Sequence, residues 1–220
     1  MKSFISLPAL TLALAVCSAS CTTTEKSISL RQVNELTSSV MELENALTAS
    51  SETVRSARTT LQKLIEQDYE DAVITYKAFL TEVERCENQA SALSSTAQPM
   101  EKRANRYFSD WEKSLEAFAN PRMRERSAAR LESTRARYQA IVATLELTHS
   151  KFASYNASLR DHALFLSLDF NVDSLADVRE DVQTLRDQSF EVENAIGSTS
   201  DAAEEYIRSA APPSKDSASR

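Results

Sequence analysis

Residues 33–64 read VNELTSSVMELENALTASSETVRSARTTLQKL. Apolar side chains recur there at alternating steps of three and four: Val33, Leu36, Val40, Leu43 and Leu47, then Val54, Ala57, Leu61 and Leu64, with only Ser50 interrupting. An α-helix turns once per 3.6 residues, so this spacing draws a narrow apolar stripe along one face. Such a heptad seam is buried only against another helix.

Working outward, the phase slips by one residue between Glu66 and Asp71, which marks either a turn or a local irregularity in a continuous helix. A second seam follows: Tyr69, Ala72, Tyr76, Phe79, Val83, Cys86, Ala90, Leu93, Ala97, Met100, Ala104, Tyr107 and Trp111. Pro99 lies inside it, and proline in a helix interior kinks or breaks the helix. Ser94, Ser95 and Thr96 are able to end one helix and cap the next. The heptad phase nevertheless passes through Pro99 unchanged, which favours a kink over an inserted loop. Asn120-Pro121 is a firmer boundary, because Asn caps, Pro suits the first helical turn, and the residue before Pro avoids helical geometry.

A third seam runs Leu131, Thr134, Tyr138, Ile141, Leu145, Thr148, Phe152, Tyr155, Leu159, His162 and Leu166. Asp169 to Ser174 reads as a turn with Ser174 as the N-cap. The last seam is Leu175, Val178, Val182, Leu185, Val192, Ile196, Ala203 and Tyr206, with Ser189 and Thr199 in its gaps and Gly197 as a point where the helix loosens. The second and third helices come out nearly equal, at ~70 Å each, as an antiparallel hairpin closed at Asn120-Pro121 requires. The expected fold is all-α, an elongated antiparallel bundle of coiled-coil-like hairpins. A two- or three-stranded coil completed by another chain is the alternative. The hairpin register sets Trp111 beside Leu131, Arg126 near Glu116 and Arg130 near Glu112. A second hairpin at Asn171 would bring Arg135 and Arg137 near Glu204 and Glu205.

Composition agrees. One glycine, Gly197, in 220 residues leaves little room for tight turns and β-hairpins. A net charge of -7 opposes nucleic-acid binding, and it opposes adhesion to anionic lipid through charge alone.

The first twenty residues read as an export signal. Lys2 precedes a largely apolar stretch from Phe4 to Val16. That is shorter than the roughly 20 residues a transmembrane helix needs, and it suits a signal-peptide core. The following Cys17-Ser18-Ala19-Ser20-Cys21-Thr22 resembles a bacterial lipobox: Ala19 and Ser20 fit, while Ser18 stands where Leu is usual. Cys21 is the expected lipidation site, and plain signal cleavage after Ser20 is the alternative. Thr22 in place of Asp implies an outer-membrane lipoprotein facing the periplasm, held by multiple acyl chains. The domain organisation is then a signal peptide at 1–20, a polar tether at 21–29, a helical bundle at 30–208 and a disordered tail at 209–220. With Cys17 removed and Cys21 acylated, Cys86 is the one remaining thiol, read as a small apolar seam residue in preference to an intermolecular disulfide.

Three segments carry a resemblance: Phe108-Ser109-Asp110-Trp111-Glu112-Lys113-Ser114-Leu115, then Arg130 to Tyr138 (RLESTRARY), then Leu159 to Leu166 (LRDHALFL) followed by Asn171. The chain resembles the bacterial family called domain of unknown function 2959 over roughly residues 30–208. It departs from that family at Ser167-Leu168, where Lys-His is usual, and near Gln67, where more turn residues are usual. The resemblance implies a helical fold and no particular activity.

Few polar groups suggest chemistry. Glu146-Leu147-Thr148-His149 is a Glu-x-x-His, which holds paired metals in some bundles when a second copy faces it. The only other histidine, His162, has Leu159 three residues earlier, so a solvated face is the better reading. His162 reads as a hydrogen-bonded core residue, with Arg160 and Asp161 in local ion pairing. Six arginines at 122, 124, 126, 130, 135 and 137 face Glu125 and Glu132, and are read as pairing within the bundle more readily than binding lipid head groups, envelope polymers or an acidic partner. No Ser-His-Asp or Cys-His arrangement and no glycine-rich phosphate loop is present. The expectation is a non-enzyme without catalytic residues, metal ligands or cofactors. It would be held to the membrane by its N-terminal lipid and act as a helical scaffold or protein-partner module in the cell envelope. A metal-binding or enzymatic periplasmic bundle is the rival, and a soluble periplasmic adaptor without lipid a third reading. The oligomeric state stays open.

Overall fold

The computed structural model describes residues 23–66 and 69–210, with side chains from Leu30 to Glu66 and from Asp71 onward. Four long helices account for almost all of it: α1 Thr23–Glu66, α2 Tyr69–Ser114, α3 Pro121–Leu168 and α4 Val172–Ala210, with a single 3-10 turn at Leu115–Ala117. Helix α1 therefore begins inside the segment read as a tether. The signal segment, Cys17, Cys21 and most of the C-terminal tail lie outside the described residues.

Each helix packs on the one before and the one after it, and α1 closes the ring on α4. The result is an up-down-up-down four-helix bundle. The seams become its core. Leu36, Val40, Leu43 and Leu47 of α1, Phe79, Cys86, Leu93 and Met100 of α2, Ile141, Phe152 and Leu159 of α3, and Val192 and Ala203 of α4 are all fully enclosed. The serine and threonine members of the seams are satisfied locally, whereas the buried hydroxyls of Tyr138 and Tyr155 have no partner among the described residues. The hydroxyls of Thr148 and Thr199 meet at 2.9 Å across α3 and α4. Ser50 donates to the Ala46 carbonyl and accepts from Gln89 Nε2 at 3.2 Å. Serine and threonine tolerate a helix interior when they reach back to the carbonyl four residues earlier.

The boundaries follow the sequence signals, with one correction. The phase slip after Glu66 separates two helices that pack antiparallel: Gln32 Nε2 donates to Asp110 Oδ2 at 2.8 Å, and Cys86 Sγ lies 3.8 Å from the Thr53 carbonyl. Helix α2 runs unbroken through Pro99, which sits on its exposed face. A carbonyl freed by the missing N–H there meets solvent, so the helix continues. Asn120 caps α3 as expected, its Oδ1 accepting from Arg122 N at 3.0 Å and Met123 N at 3.4 Å, with Pro121 first in the helix. At α4 the cap is Asn171, not Ser174. Asn171 Oδ1 accepts from Ser174 N at 2.9 Å, and the Ser174 hydroxyl instead reaches back to the Asp169 carbonyl. Both residue types cap, but the helix already starts at Val172, which puts Ser174 inside the first turn. Helix α4 also runs straight through Gly197, which is exposed and has no positive φ.

The α2–α3 hairpin has the expected register. Ser94 lies 3.5 Å from His149 Nε2, Asn156 Nδ2 donates to the Cys86 carbonyl at 3.3 Å, and the Tyr76 hydroxyl donates to the Ala163 carbonyl at 3.0 Å. These pairs are nearly symmetric about Asn120-Pro121. Trp111 is half-buried against the core, its ring tilted against that of Tyr107 with centroids 5.5 Å apart, and its Nε1 donates to Ser127 Oγ at 2.9 Å.

Candidate functional site

The polar groups singled out in the sequence do not converge. His149 lies between α2 and α3 with Glu101 and Glu146 nearby; burial holds its imidazole below the usual range, against the raising pull of those two carboxylates. His162 has Nδ1 at 2.7 Å from the Ser158 carbonyl and Nε2 at 3.3 Å from Asp181 of α4. Among the described residues no group of three His, Cys, Asp or Glu side chains is placed to hold a metal ion. Cys86 is fully enclosed, and burial, helped by Glu82 and Glu87, pushes its thiol up to about 12. It is a seam residue held away from thiolate chemistry.

The arginine pairings need correction. Arg135, not Arg130, reaches Glu112, at 3.3 Å. Arg137 turns to Ser133 and Thr134 on its own helix, and Glu205 pairs with Arg208. Arg160 pairs across the hairpin with Glu87 at 2.8 Å, not with its neighbour Asp161. Side chains on a helix tilt toward its N-terminus. In an antiparallel pair both partners tilt away from each other's level, so charges meet that lie several residues beyond the backbone register. Arg122, Arg124, Arg126 and Arg130 make no ion pair among the described residues.

Two features were not anticipated. The first is a polar node inside the bundle. Arg58 of α1 pairs with Glu193 of α4, donates to Ser189 Oγ at 3.0 Å, and lies 4.4 Å over the Phe190 ring. It borders a cavity of about 150 Å³ shared with Leu61, Ile65, Tyr155 and Leu185. Its members pair with one another across α1 and α4, which locks register. The sequence signal was Arg58 beside the α1 seam, one residue after Ala57.

The second is an exposed apolar surface at the end formed by the α1–α2 and α3–α4 turns. Ile74 is 71% exposed and Leu168 77%, with Val73, Leu80, Leu164, Phe165 and Val172 also open. Leu80 and Leu164 line one shallow groove between α2 and α3, next to Glu87 and Arg160. All seven lie off the seams, and apolar residues at positions the heptad leaves to solvent were the available signal. Apolar groups clustered at one end of a helical bundle mark a contact surface more often than chance exposure.

Among the described residues no helix is long and apolar enough to cross a membrane. Fold and surfaces together define a closed antiparallel four-helix bundle with an enclosed core and two chemically different ends. The chain belongs to the family described as protein of unknown function (DUF2959), whose sequence profile matches residues 22–210. No curated protein and no solved structure matches it.

Proposed function

We propose that this chain is a non-enzymatic envelope lipoprotein, anchored through Cys21 to the outer membrane and facing the periplasm, which acts as a rigid helical scaffold presenting a protein-binding end. The observation that carries this reading is the exposed apolar group at the end remote from Thr23, above all Ile74, Leu164 and Leu168. Helices of ~70 Å hold that end well away from an N-terminal anchor, a separation suited to a spacer. The lipobox-like Ala19-Ser20-Cys21 and the apolar run before it support the anchor.

Two measurements test it together. Fatty-acid analogue labelling is expected to persist in Cys17→Ser and vanish in Cys21→Ser; label retained in Cys21→Ser overturns the anchor. A photo-cross-linking residue at Leu168, in cells, is expected to give a discrete adduct absent from the same residue at exposed Asp187 in mid-helix. Equal adducts at both sites would remove the case for a binding end. Stoichiometric iron or manganese in protein purified without chelator would favour the rival metal-binding bundle.

A further inference from the structure

We infer that the opposite end of the bundle, built around the α2–α3 turn, is a docking face for a bilayer surface containing anionic phospholipid. Phe118 and Met123 enter the headgroup region there, and Arg122, Arg124 and Arg126 take lipid phosphates. This inference rests on the tethered reading proposed above.

Position comes first. Helix α1 starts at Thr23, two residues after Cys21, and its first turns lie alongside the end of α2, as the Gln32–Asp110 bond shows. Two residues of chain span at most ~7 Å, so an anchor at Cys21 brings this end, and not the other, to the membrane.

Charge comes second. From Glu116 to Arg130 the chain carries four arginines against Glu116 and Glu125, although the whole protein is at -7, while Lys113 is paired with Asp110. Elsewhere eight arginines, at 31, 55, 58, 85, 103, 135, 160 and 208, are ion-paired. Arg137, Arg179 and Arg186 are held by hydroxyl, carbonyl and ring contacts, which leaves Arg106 alone on α2 without one among the described residues. The four arginines from 122 to 130 make no such pair among the described residues. The nearby end of α4 adds exposed Glu204 and the Glu205–Arg208 pair, so the basic face belongs to the turn and the start of α3.

Apolar surface comes third. Phe118 and Leu30 border a groove backed by Tyr107 and Trp111, and Met123 is exposed in the first turn of α3. Each contribution alone is weak, but apolar insertion, basic residues and an acyl anchor reinforce one another at a bilayer surface.

The test uses the full chain purified from membranes and reconstituted in vesicles whose lipids carry bromine near the headgroup. One variant, Trp111→Phe with Phe118→Trp, reports on the turn; a second, Trp111→Phe with Phe165→Trp, reports on the far end. Flotation of either with the vesicles reads the tether independently of docking. In phosphatidylcholine–phosphatidylglycerol vesicles the Phe118→Trp emission is expected to be quenched several-fold, and the Phe165→Trp emission hardly at all. Adding Arg122→Ser, Arg124→Ser and Arg126→Ser should reduce the turn signal toward the far-end level while flotation persists. Protein that floats with no quenching at the turn overturns docking and leaves tethering intact. Equal quenching by pure phosphatidylcholine overturns the anionic recognition. A turn reporter shielded from aqueous quencher but untouched by bromine means that a second copy or the chain's own N-terminal segment covers the face, and overturns the inference. Protein that does not float overturns the tether beneath it.

Discussion

Midway along the bundle, Leu93, Ile141, Phe152 and Val192 are closed off from water on every side. At the two ends the same helices leave Ile74 and Leu168, or Leu30 and Met123, open to it. The midsection thus spends its apolar residues on cohesion, whereas the ends retain theirs as surface. The difference teaches where this molecule tolerates change. Stability belongs to the enclosed layers, and the ends are free to serve contact.

Substitutions can break that division. Phe152→Ala should cost about 3–5 kcal/mol, seen as a fall in melting temperature of roughly 6–20 °C for a chain of this size. A fall of only a degree or two would mean that the midsection is not the cohesive part. Trp111→Ala, at the border between core and end, should cost about 1–3 kcal/mol, less than a fully enclosed aromatic because its ring is half-open. The accompanying fluorescence readout is a native emission that shifts further to the red on unfolding. Gly197→Ala should raise stability by about 1 kcal/mol, because the site is exposed, its φ is ordinary, and a Cβ there meets nothing within 4 Å; a loss of stability would show that α4 needs freedom at that point. The smallest effect is expected for Leu168→Ser, within about 0.5 kcal/mol of wild type. If it unfolded the protein as Phe152→Ala does, the apolar end would be core and not surface.

The heptad spacing made the four helices, their order and most of the core legible in the sequence, because burial in a bundle follows a strict angular period. Asn120-Pro121 was legible too, since cap and proline agreed there. The cap at Asn171 was not, because Asn and Ser three residues apart offer the same chemistry and only the backbone path chooses between them. Phe108, Asn156 and Ala163 are buried although they stand off the seams. Each helix faces two neighbours around the ring, which widens the covered stripe beyond two positions per heptad. Ion pairs were the least legible feature, because their partners depend on side-chain tilt as well as on backbone level. The candidate surfaces were half-visible: the basic run stood out as a run, but its division into paired Arg135 and unpaired Arg122 to Arg130 needed three dimensions.

The ring of four antiparallel helices has a topological consequence. An even number of passes returns the chain to the pole where it started, so Thr23 and Ala210 lie at the same end, on helices that pack against each other. The Ser200–Glu44 bond sets Ala210 about level with Asn34 of α1, so a joining linker spans roughly 17 Å of helix rise in addition to the ~8–10 Å between neighbouring axes. The order of the helices is therefore separable from their arrangement. A circular permutant opened at Asn120 and joined from 210 to 23 would rebuild the same four contacts in a new sequence order, with its new ends still at that pole.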